Sequence, residues 1–64
     1  MTHPRDYTPE AEQVGRDMAA SCRTPKQTAP AFRLADALAV CNIPINATTM
    51  RAASQGWESV VAKL

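Results

Sequence analysis

The sequence predicts an all-α fold, a small three-helix domain of the bundle or helix-turn-helix-like kind, with helices over about 8–22, 29–42 and 47–63. Three observations point to it. Apolar residues recur at three- and four-residue spacing in three separate stretches. Two proline-bearing stretches, "RTPKQTAP" at 23–30 and "NIPIN" at 42–46, divide them. Alanine is abundant and the only aromatics are Tyr7, Phe32 and Trp57, so the helices must pack closely through small side chains.

Residues 1–7 carry Pro4 and mixed charges and read as a flexible lead-in to a single helical domain over 8–64. Thr8-Pro9-Glu10 then reads as a helix start. Threonine caps, proline suits the first helical position, and glutamate favours the positive end of the helix dipole. Ala11, Val14, Met18 and Cys22 form the apolar stripe, with Glu12, Arg16 and Arg23 on the opposite side. Glu12 and Arg16 stand at i, i+4 in the favourable orientation.

In the first breaker, Thr24-Pro25-Lys26-Gln27 resembles a capping box, but a helix begun there would meet Pro30 in its second turn. The second helix is therefore expected from near Thr28, with Pro30 inside its first turn. On a helical wheel Leu34, Leu38, Cys41 and Ala31 face one way, Ala35, Ala39 and Phe32 continue round the side, and Val40 lies in the remaining arc. Only Arg33 and Asp36 are charged. A helix apolar on nearly all sides is usually buried on most of them, yet two neighbours cover only part of it. It is either a central helix with tolerated surface alanines or one whose Phe32, Arg33, Asp36, Ala39 and Val40 border an exposed patch that binds a partner.

In the second breaker Pro44 pushes Ile43 out of helical geometry, and Asn46 is a good N-cap for the third helix. Met50, Ala53, Trp57, Val60, Val61 and Leu64 form one stripe about 100° wide. Gly56 weakens this helix by up to about 1 kcal/mol relative to alanine. It marks either a break or a close helix crossing; the unbroken helix is the expectation. No internal repeat or low-complexity segment stands out, and no window is rich in one charge sign.

A chain of 64 residues makes one domain at most, and so short a chain buries only about 60% of the surface that it exposes when unfolded. A substrate pocket of about 300 Å³ carved from such a core would remove much of the packing that holds it. Nor are catalytic sets visible. The one histidine, His3, stands near the start; serines lack a GxSxG-type turn; Asp6, Glu10, Glu12, Asp17, Asp36 and Glu58 form no facing pair; and Gly15 and Gly56 make no phosphate loop. No CxxC or Cys/His cluster holds a metal, so the expectation is no enzyme, no cofactor and no small-molecule substrate. Cys22 and Cys41, at the ends of antiparallel helices, are expected as free, partly buried thiols.

Seven basic and six acidic residues leave a net charge of +1, without the basic excess a nonspecific nucleic-acid binder shows. No apolar run approaches the roughly 18 residues of a membrane span, and the start, "MTHPRDYTPE", does not resemble a signal peptide. A soluble cytoplasmic protein is the simplest expectation.

Two binding functions remain. The first is a small regulator or inhibitor acting through protein–protein contacts on a larger host protein or complex, with a homodimer as one form of it; a structural subunit of a larger particle reads the same way. In size and composition the chain is similar to the short accessory proteins of phages and mobile elements. The second is a dimeric transcriptional regulator. "VCNIPINATTMRAAS", Val40 to Ser54, resembles a helix-turn-helix in outline over about 25 residues. The face opposite Met50 and Trp57 holds Thr48, Arg51, Ala52, Gln55 and Ser59, of which Thr48, Arg51 and Gln55 suit base or phosphate contacts. The turn is longer than usual and contains proline, and Asn42 would have to take the left-handed geometry of the usual glycine.

Overall fold

The computed structural model describes residues 6–64, so His3 and most of the expected lead-in lie outside the described residues. Three helices follow one another, α1 (Thr8–Ser21), α2 (Ala31–Val40) and α3 (Ala47–Val61). The domain is the small all-α three-helix fold that the periodicities predict.

Helix α1 begins differently from the expectation. Thr8 lies inside the helix and Tyr7 takes the capping position. The Thr8 amide donates instead to the Asp6 carboxylate at 2.9 Å, and the Ala11 amide donates to the Tyr7 carbonyl at 2.8 Å. Proline at 9 still occupies the first turn, where a missing N–H costs nothing. Accepting the Thr8 amide holds the exposed Asp6 carboxyl below its ordinary pKa. Further along, Arg16 pairs with Glu12 as expected and also donates to Gln13 at 3.0 Å.

The main interface joins α1 to α3, and α2 touches each of them far less. The reading of α2 as the central helix is thus corrected. Glycine decides the arrangement, because α1 and α3 approach until backbone meets backbone. A methyl group built on Gly15 would collide with the Ala53 carbonyl and lie 3.0 Å from the Trp57 backbone nitrogen; one built on Gly56 would collide with the Glu12 carbonyl and lie 3.1 Å from the Arg16 backbone nitrogen. Each glycine therefore sits over one turn of the other helix. Helix α3 runs unbroken through Gly56, which marks a close crossing.

Small residues line the crossing and larger ones flank it. The buried positions of α1 are Ala11, Gly15 and Ala19, while Val14, Met18 and Cys22 are only half-buried. Those of α3 are Thr49, Ala52, Ala53, Gly56 and Trp57. Ala52 therefore leaves the polar face on which the wheel put it, and Leu64, 80% exposed, leaves the apolar stripe. The two helices carry the same spaced pattern, Thr8, Ala11 and Gly15 in one and Thr49, Ala52 and Gly56 in the other.

Helix α2 starts at Ala31, later than expected, because Pro30 has extended backbone (ψ 96°) and takes the N-cap position. It is anchored by Leu34 and Leu38, both completely buried. Its end is a Schellman motif: Asn42 adopts a left-handed φ of 58°, its amide donates to the Ala39 carbonyl at 3.1 Å, and the Ile43 amide reaches back to the Leu38 carbonyl at 2.8 Å. Ile43 and Leu38 are both buried, which supplies the hydrophobic contact that accompanies this motif.

The chain then enters α3 through a full capping box. Asn46 Oδ1 accepts from the Thr49 amide and the Asn46 amide donates to Thr49 Oγ1, both at 3.0 Å. The Thr49 hydroxyl in turn donates to the Pro44 carbonyl at 2.7 Å. A buried threonine therefore closes the corner with all its polar atoms satisfied. On the other side of the domain the Trp57 indole N–H donates to the Lys26 carbonyl at 2.7 Å, tying the first loop to α3.

Candidate interaction surface

With Leu34 and Leu38 turned inward, the 100° step of an α-helix places Phe32, Arg33, Asp36, Ala39 and Val40 on the opposite arc of α2. All five are exposed, and Ala35 and Ala37 lie half-buried at the edges. The structure thus brings together every residue of the patch expected from the sequence. Phe32 is 90% and Val40 84% exposed, against 0% for the two leucines on the other side of the same helix. Phe32, Asp36 and Val40 follow one another at four-residue spacing along a ridge about 12 Å long. No ion pair among the described residues involves Arg33 or Asp36.

Ile45, 52% exposed, adds an apolar side chain just beyond the end of α2. Sequence reasoning passed over it, although its place between Pro44 and Asn46 removes it from any helix face that could bury it.

The residues expected to read DNA also share one exposed arc. Thr48, Arg51 and Gln55 project from α3 on the side away from its buried stripe. Arg51 is the one cation of α3, and Glu58 stands on the same arc two turns on. The Asn42 geometry matches what a helix-turn-helix corner needs, but α3 spends its buried face mainly on α1. Electrostatically this is a nearly neutral polar face.

A pocket of about 190 Å³ opens between the first loop and the start of α2, with Cys22, Pro25, Lys26, Pro30, Arg33 and Trp57 in its wall. Arg33 belongs both to this pocket and to the outer arc of α2. Cys22 and Cys41 are free, the first half-buried and the second exposed, so only Cys22 meets the expectation of partial burial. Among the described residues no group of three or more histidine, cysteine or acidic side chains gathers to hold a metal ion. Among the described residues no helix is long and apolar enough to cross a membrane.

No family model, curated protein or solved structure matches the chain.

Proposed function

We propose that this chain is a small non-enzymatic binding protein, a regulator or inhibitor that occupies a surface on a larger protein with the outer face of α2. The observation that carries this reading is the exposure of Phe32 and Val40 on one ridge of a helix whose Leu34 and Leu38, on the opposite side, are fully buried. Covering either side chain would contribute about 1.5–3 kcal/mol, and nothing in the fold requires a phenylalanine or a valine there. The ridge is short, so Arg33 and Asp36 supply orientation and the apolar pair supplies most of the affinity.

The test is affinity capture from nuclease-treated host lysate with the wild-type chain, Phe32→Asp and Val40→Asp. The variants should keep the wild-type helical circular dichroism, because both positions face solvent. Loss of the captured protein with either variant supports the reading, and unchanged capture and oligomeric state with both refute it.

A second reading, a dimeric DNA-binding regulator, draws on the shared exposure of Thr48, Arg51 and Gln55 and on the left-handed Asn42 in the corner before them. Arg51→Ala should then abolish retardation of DNA while leaving protein capture intact. Glu58 on the same arc weighs against it, since a carboxylate facing phosphates is repulsive.

A further inference from the structure

We infer that the pocket between the Cys22–Pro30 loop and α2 receives an acidic side chain of the partner protein, so that the recognised segment carries a carboxylate beside its apolar residues. This rests on the proposed protein-binding role and adds the chemistry of the partner.

From Met18 to Ala35 the chain holds Arg23, Lys26 and Arg33 and no acidic residue, although the whole chain is close to neutral. The fold gathers two of these cations, Lys26 and Arg33, at one pocket with no carboxylate in its wall. Among the described residues none of the three makes an ion pair. Thr24, Cys22, two prolines and the Trp57 ring make up the rest of the wall, so a carboxylate entering here has Lys26 and Arg33 as its charged neighbours and a hydroxyl beside them, and the partly apolar surroundings strengthen the attraction. At about 190 Å³ the pocket suits one side chain rather than a cofactor.

Trp57 also decides against a nucleic acid. Stacking a base needs an open ring face, and Trp57 is only 3% exposed and tied to the Lys26 carbonyl through its indole N–H. Because Arg33 lies on both surfaces, one segment can place an acidic residue in the pocket and apolar residues along Phe32 and Val40.

The probe is a pair of short leucine- and alanine-based peptides alike except for a central glutamate or glutamine. Binding is read from the fluorescence of Trp57, the one tryptophan of the chain. The glutamate peptide should give a saturable change that Lys26→Ala and Arg33→Ala each weaken about tenfold and that salt of about 1 M suppresses. Retained helical circular dichroism shows that the variants fold. Equal response to both peptides, no response to either, or tighter binding of a single-stranded oligonucleotide than of the glutamate peptide would overturn the proposal. Lysate capture separates the two readings. Loss with Val40→Asp but not with Lys26→Glu keeps the α2 face and removes the acidic pocket; loss with Lys26→Glu alone does the reverse.

Discussion

Gly15 of α1 and Ala53 of α3 meet through their backbones, and Gly56 repeats the contact from the other side against Glu12. The absence of two side chains, rather than the shape of large ones, sets the distance between the two main helices. A wider spacing would separate Ala11 and Ala19 from Ala52 and Ala53, which are too short to bridge a gap.

This contact predicts that Gly15→Ala and Gly56→Ala destabilise the fold even though alanine favours helix. The propensity gain is at most about 1 kcal/mol. The added methyl meets a carbonyl that cannot swing aside, so each substitution should cost about 2 kcal/mol net, a large share of the roughly 3–5 kcal/mol expected for so small a core. Urea unfolding should show a lowered midpoint. The double variant should lose less than the sum of the two, since helices pushed apart once have less to lose again.

Thr49→Val keeps the shape of the side chain and removes its hydroxyl. The Asn46 amide loses its acceptor and the Pro44 carbonyl loses its donor at a half-buried corner closed by the buried Thr49. A loss of about 1–3 kcal/mol is expected by thermal or chemical unfolding. Asn46→Ala, which removes only the exposed half of the capping box, should cost about 1 kcal/mol. A smaller effect at Thr49 than at Asn46 would show that the buried threonine is not what fastens α3.

Trp57→Phe deletes the bond to the Lys26 carbonyl and part of the ring. Hydrogen exchange and proteolysis should speed up within the Cys22–Pro30 loop before they do in the helices. The global cost should be about 1–2 kcal/mol, measured by circular dichroism because the fluorophore is gone. Uniform acceleration throughout the chain would mean that the indole supports the whole core and not the loop in particular.

The Asp6 carboxyl has its folded pKa lowered by the Thr8 amide. Its stabilisation of the α1 start is therefore present above the pKa of the unfolded chain and disappears as pH falls through the folded value, below about pH 4. A carboxyl-detected NMR titration should place the Asp6 midpoint below that of an unstructured aspartate, and Asp6→Ala should fray the first turn at neutral pH. A midpoint at or above the unstructured value would show that the bond is not formed in solution.

What the sequence revealed and what it hid divide along one physical line. Breaker chemistry is local, so Pro44, Asn46 and the Thr8-Pro9-Glu10 start marked the helix boundaries to within a few residues. Leu34 and Leu38 announced themselves by size, and with them the exposed arc that holds Phe32 and Val40. Gly56 offered a close crossing as one of two readings, but its partner on α1 was hidden because a helical wheel weighs hydrophobicity, and Gly15, with the small Ala19 and Ala52 beside the crossing, weighs little. For the same reason α2, the most apolar helix, read as central, whereas centrality here belongs to the helices that can come closest. The pocket was hidden too: Lys26 and Arg33 are brought together by a loop whose path depends on the Trp57 bond to the Lys26 carbonyl. Their only sequence signal was the acid-free stretch between Asp17 and Asp36.

A core in which four of the eight buried apolar residues among those described are alanines also governs how the domain responds to temperature. The heat capacity of unfolding grows with the apolar surface released to water, about 12–15 cal/mol/K per residue in ordinary domains. Glycine and alanine release little of it, so the value here should fall below that range and the stability curve should be shallow. Calorimetry should find a broad melting transition at one end and little weakening on cooling at the other.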